Sequence, residues 1–430
     1  MPGNHTLSDL LVVSNVTNFT FRGVDSTYVL GVASSVKIIC NHSYIIFKHS
    51  IKLTIQNLIL YGCGVYKVSE NNASENSCLP SVSFMHGSDF CKLTSSLNFN
   101  RVLNLKISNI RVEYSTGISA QNILGKNSCT FHGAASNITK ETTSPPPSVC
   151  IEFTYIQLSA LPSNNHLSIH NSIFKYRQGP SVVAIFRQLH YTIYFHINNI
   201  STFQTGSICS GVCDIQLHIL TKQQELVYTT ISNSSLTHSN GCAIYVNAPN
   251  FLGYYTYFSS ISESSKMLGD VTIASSEIVD YFSGGLLASL HMYLQFVIQD
   301  CAFMGSHQGT ANPPGISVLG KYRHQSNKDL IILQNLSVLY NEAFPHTSVA
   351  RLTNVHDAFL IDCYFIGNKG TALTVQSSTF YTQGNLKFIN NSAFQKGALA
   401  LLKTATWCLI TILALFFKTT IPHTWGVLFM

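Results

Sequence analysis

Residues 167–179 read LSIHNSIFKYRQG: apolar, polar, apolar, polar, then Asn, followed by a bulky pair and, after a short polar run, Gly. Period-two alternation is the mark of a strand with one buried face. The block recurs along the chain as Leu53-x-Ile55-x-Asn57, Leu105-x-Ile107-x-Asn109, Leu167-x-Ile169-x-Asn171, Phe195-x-Ile197-x-Asn199, Val271-x-Ile273-x-Ser275, Phe296-x-Ile298-x-Asp300 and Ile331-x-Leu333-x-Asn335. Weaker copies end at Asn233, Asp362 and Asn390. A Gly usually follows within six to nine residues, as at Gly179, Gly206, Gly284 and Gly370.

Successive Asn-type positions lie 52, 62, 28, 34, 42, 25, 35, 27 and 28 residues apart. The short intervals set a unit of two short strands and turns, the size of one coil of a parallel β-helix. A lone coil cannot bury its apolar side chains, whereas stacking coils about 4.8 Å apart sets Ile on Ile and Asn on Asn. The chain is therefore read as all-β, a right-handed parallel β-helix of about ten to thirteen coils over residues 1–403. Insertions are expected near 64–100 and 119–150, the second containing the run SPPPS. At each turn the Asn is expected to point inward, bonded to the amides above and below in a buried ladder.

Composition agrees. Of 430 residues only 44 are charged, 25 basic and 19 acidic, whereas 33 are Asn and 46 are Tyr or Phe. Helical bundles, coiled coils and disordered chains do not look like this. The net charge of +6 is spread without basic blocks, so a nucleic-acid partner is not expected.

Twelve cysteines without a C-x-x-C pair point to an oxidising compartment. The expected location is extracellular or cell-surface, and the chain's start, which opens on Met-Pro-Gly-Asn, is read as incomplete. Ten Asn-x-Ser/Thr sequons occur. Asn4, Asn15, Asn18, Asn41, Asn72 and Asn137 are the glycosylation candidates, while the sequons at Asn199, Asn233, Asn335 and Asn390 fall on ladder positions, where burial leaves no room for a sugar. Disulfides are expected within loops, from Cys78 with Cys91, Cys129 with Cys150 and Cys209 with Cys213; Cys301 and Cys363, two coils apart, are expected to be buried thiols. Residues 404–417, TATWCLITILALFF, form an uncharged run between Lys403 and Lys418. The tail 404–430 is either a membrane anchor or a truncated last repeat.

The ends carry a family likeness. PGNHTL at residues 2–7, LVV at 11–13 and NFTFRG at 18–23 resemble the entry coil of pectin-lyase-like right-handed β-helices. FINNSAFQKGAL at 388–399 resembles the F-x-x-N…G-G-A repeat of polymorphic outer-membrane-type proteins and related animal surface proteins, with one Gly in place of two. The resemblance implies a secreted or surface-attached β-helix and no particular ligand.

Many pectin-lyase-like proteins act on polysaccharides through facing carboxylates. Here Asp300 and Asp362 occupy equivalent positions two coils apart, as substitutions in the Asn ladder. His166 and His170 share a strand without a third ligand at metal spacing. No phosphate loop, nucleophile elbow or H-E-x-x-H occurs. The sequence thus points to a scaffold with no catalytic residues, metal or cofactor, binding a protein or glycan, with membrane attachment through the tail as a possible addition. The alternative is a carbohydrate-active enzyme of the same fold.

Overall fold

A computed structural model describes residues 3–9, 11–23, 36–40, 45–63, 97–113, 149–153, 164–176, 180–187, 192–205, 213–220, 226–239, 241–248, 269–282, 284–290, 295–307, 313–320, 330–343, 347–392, 400–403 and 406–418. Every strand pairing among them is parallel and in the order expected of a winding chain. The right-handed sense is that of nearly all parallel crossovers. Each rung contributes to three sheets, here A, B and C. A typical rung is Cys213–Leu220 in sheet A, Val227–Ser232 in sheet B and Ser235–Ser239 in sheet C. Eleven consecutive pairings join twelve strands along sheet B, from Thr17–Arg22 to Thr406–Lys418.

The core is a set of columns. One runs Phe21, Ile55, Ile107, Ile169, Ile197, Ile231, Ile273, Ile298, Leu333 and Leu360, each in register with the next. All after Phe21 are essentially inaccessible to solvent. Burying each such side chain is worth about 1.5–3 kcal/mol, which one coil cannot obtain alone. Aromatic residues stack in the same way, Phe47 on Phe99 at 5.3 Å and Phe365 on Phe388 at 5.1 Å.

Nine of the B strands bend into a C strand at one residue of positive φ: Asn57, Asn109, Asn171, Asn199, Asn233, Ser275, Asp300, Asn335 and Asp362, with φ between 47° and 57°. Asn tolerates this left-handed backbone better than a β-branched residue. In the following rung Gly384, at φ 70°, takes the place. A Cβ there would lie 2.4 Å from Asp362 Oδ1. The final copy is thus displaced from its expected position: Asn390 sits at the next corner, after the C strand, and not in this row.

Part of the apolar tail, for which the sequence leaves a membrane anchor and a truncated last repeat open, is strand. Thr406–Lys418 is a strand of the last rung, paired in parallel with Thr379–Ile389, so the solenoid continues past 403. Among the described residues no helix is long and apolar enough to cross a membrane. Residues 97–100 and 149–150, expected in insertions, are strand.

Candidate functional site

The bend residues do not point inward. Asn109, Asn171, Asn199, Asn233, Ser275, Asp300 and Asn335 are exposed, and Asn57 and Asp362 half-buried. Strict alternation fails at the corner because the left-handed residue rotates the chain: Ile197 faces in, Asn198 and Asn199 both face out, and Ile200 faces in again. The ladder exists, but on the outer surface. Asn109 Nδ2 donates to Asn57 Oδ1 at 3.2 Å, Asn199 Nδ2 to Asn171 Oδ1 at 2.8 Å, and Asn335 Nδ2 to Asp300 Oδ1 at 2.8 Å. Asp362 Oδ1 accepts from the backbone and side chain of Asn385.

The inward ladder is elsewhere, just after the corner from sheet C to sheet A. Asn341, Asn368 and Asn391 are buried and bond one another through Oδ1 and Nδ2, and Ser306 N–H donates to Asn341 Oδ1. Each Asn amide also donates to the carbonyl three residues before the equivalent position of the preceding rung: Asn341 to Phe303 at 3.0 Å, and Asn368 to Val338 and Asn391 to Phe365, both at 2.8 Å.

Among the described residues two disulfides join adjacent rungs. Cys40 is bonded to Cys63, and Cys213 to Cys242, its in-register neighbour on the next rung, so the Cys209–Cys213 pairing is replaced. Adjacent rungs bring in-register Cα atoms close enough for a bridge. Cys78, Cys91, Cys129 and Cys209 lie outside the described residues; Cys150 is on the strand Val149–Phe153. Cys301 and Cys363 are free and buried. Burial pushes their thiols up to about 11 and about 12. Among the glycosylation candidates, Asn4, Asn15 and Asn18 are exposed; Asn41, Asn72 and Asn137 lie outside the described residues.

Two outward surfaces concentrate functional groups. The first is the middle of sheet B. His166, Tyr194 and Tyr228 occupy one register row on three successive rungs, their rings stacked at 5.0 and 5.2 Å and 11° from parallel. Because the stacking covers both faces of Tyr194 and one face each of His166 and Tyr228, the row presents mainly edges and polar tips, Tyr hydroxyls and an imidazole. Beside it lie His170 and His196 and the Asn198 amide, which donates to Ser232 Oγ at 2.8 Å. Partial burial lowers the pKa of His170, helped by Lys106 and His196; burial and His166 do the same for His196. Both shifts favour the neutral, hydrogen-bonding imidazole over the charged one. Farther along the sheet Phe359 stacks on Tyr381 at 4.7 Å.

The second surface is the B-to-C corner itself. An open groove there is lined by Asn233, Ser235, Ser275, Asp300, Asn335 and Ser337 from four successive rungs. Along the same corner, Asp300 in the groove and Asp362 two rungs on accept the ladder bonds already described.

A buried polar group lies inside the solenoid. Tyr281 O–H donates to Asp214 Oδ2 at 2.6 Å, and Thr202 Oγ1 lies 3.2 Å from the same oxygen. No local pattern links Asp214 and Tyr281, which are 67 residues apart. Among the described residues no group of three or more His, Cys, Asp or Glu is placed to hold a metal ion.

No protein-family model and no curated protein matches the chain. Among solved structures it is similar to the surface protein and adhesin PfbA of Streptococcus pneumoniae, at 10% identity over 95% of this chain and 91% of that one, with a TM-score of 0.34.

Proposed function

We infer that the protein is a non-enzymatic extracellular or cell-surface scaffold that uses the outer face of sheet B to bind a protein or glycan. The carrying observation is the His166–Tyr194–Tyr228 row, a flat, rigid line of hydroxyl and imidazole tips flanked by the Asn198–Ser232 pair. Parallel stacking fixes these groups about 4.8 Å apart with little conformational freedom left to lose on binding. A long ligand with regularly spaced polar groups, such as a glycan chain or an extended peptide, matches that spacing. The cross-rung disulfides support an oxidising location.

The enzyme reading rests on Asp300 and Asp362. Two rungs set them about 10 Å apart, near the separation of an inverting acid and base. Their engagement by Asn335 and Asn385 favours the ladder role. Incubating the purified chain with neutral and acidic polysaccharides decides between the two: saturable binding without new reducing ends or unsaturated products is expected, and such products would establish the enzyme.

A further inference from the structure

Three corner asparagines open Asn-x-Ser triplets: Asn199-Ile200-Ser201, Asn233-Ser234-Ser235 and Asn335-Leu336-Ser337. Each triplet straddles the bend in the same way. The Asn is exposed at positive φ, the middle residue turns into the core, at 2%, 3% and 0% exposure, and the Ser returns half-buried to the outside. Amide and hydroxyl therefore lie on one side of the chain, and for two of the triplets both ends line the open corner groove. None of the buried ladder asparagines, Asn341, Asn368 and Asn391, opens such a triplet.

We propose that Asn199, Asn233 and Asn335 are N-glycosylation sites, forming a row of glycans along the B-to-C edge. The inference rests on the extracellular reading above. The donor is an oligosaccharide carried on a lipid pyrophosphate. Nδ2 gives up one proton and forms a bond to the sugar C1, while the C1–O bond breaks and its electron pair leaves with the lipid pyrophosphate. The substituted nitrogen keeps one hydrogen. That is enough for the single bond each makes in the ladder, Asn199 to Asn171 and Asn335 to Asp300. The glycans attach at the B-to-C corner, five residues along the chain from Tyr194 and from Tyr228, so the glycosylated positions and the stacked row are separate on each rung.

The test is site occupancy in the full chain, expressed behind a cleavable leader in cultured animal cells and released from its glycans by peptide-N-glycosidase in heavy-oxygen water. Heavy-oxygen-labelled Asp is expected at 199, 233 and 335 in more than half of the molecules. Absence of label at all three, whether or not Asn4, Asn15 or Asn18 is labelled, overturns the proposal. Ser337→Ala, which leaves Asn335 and its bond to Asp300 in place, should increase gel mobility by one glycan, and Ser337→Thr should not; equal mobility of all three proteins refutes the site at 335. The leader imposes the secretory route, so this experiment reads the geometry alone. Protease accessibility of the chain on its own intact cells reads the compartment separately.

Discussion

Asn368 Oδ1 accepts two hydrogen bonds from Asn341 of the preceding rung, one from the backbone N–H at 2.9 Å and one from Nδ2 at 3.1 Å. Its own Nδ2 donates to Val338 O and Asn391 Oδ1. Every polar atom of this buried amide is satisfied, and it links three rungs.

Asn368→Ala orphans donors and acceptors on both neighbours, each costing about 1–3 kcal/mol when buried. A loss of about 3 kcal/mol or more is expected in a denaturant melt. Asn199→Ala removes a bond of the same type from the exposed edge, where water replaces it, and should cost about 0.5 kcal/mol. Equal losses would show that the inner and outer ladders have been assigned to the wrong sides.

That distinction marks how far the sequence could be read. The rung and its B strand were legible because Leu167-x-Ile169 and its copies alternate cleanly. The side of Asn171 or Asn199 was not, since parity counted along a strand breaks wherever one residue adopts a left-handed conformation. The inner ladder left a weaker trace: Phe365 to Asn368 and Phe388 to Asn391 share the Phe-x-x-Asn spacing, and Phe303 to Ser306 is a variant of it. The cross-rung disulfides and the Asp214–Tyr281 contact depend on register between distant segments, which local pattern does not encode.

Tyr281 should titrate abnormally. Burial, and then the adjacent Asp214 carboxylate, hold its phenol well above the usual value of 10.0. A group raised in the fold adds stability below its unfolded pKa; that stability falls as pH climbs from about 10 toward the folded value. Alkaline titration followed at the phenolate absorbance should leave one tyrosine silent until the chain unfolds, and Tyr281→Phe should abolish that late step. The variant should also lose about 1–3 kcal/mol near pH 7, because the carboxylate forfeits a buried donor. A late step unchanged in Tyr281→Phe would contradict the assignment.

The cysteines divide into two classes. Cys301 and Cys363 are buried thiols whose Sγ atoms lie near backbone carbonyls, 3.1 Å from Gln299 O and 3.3 Å from Leu333 O respectively. With pKa values pushed to about 11 and about 12, neither supplies thiolate at pH 8. Both should resist alkylation in the native chain and react on unfolding. Fast native labelling of either would place it at the surface.

Cys213 and Cys242 close a loop across adjacent rungs, with a sequence separation of 29. Replacing both by Ser should destabilise the fold by about 3 kcal/mol through the unfolded chain's regained freedom. Non-reducing peptide mapping should recover the 213–242 and 40–63 linkages; a 209–213 linkage would contradict the pairing of rungs.

The binding role of sheet B is tested most directly by the double variant Tyr194→Ala, Tyr228→Ala. Both side chains face outward on their strands, so the β-sheet circular dichroism and melting profile should stay close to those of the parent. Binding to glycan arrays and to extracellular-matrix proteins should fall at least tenfold, while a Phe359→Ala variant, altered on the same sheet several rungs away, should bind as the parent does. Undiminished binding by the double variant would contradict the placement of the interaction surface on the His166–Tyr194–Tyr228 row.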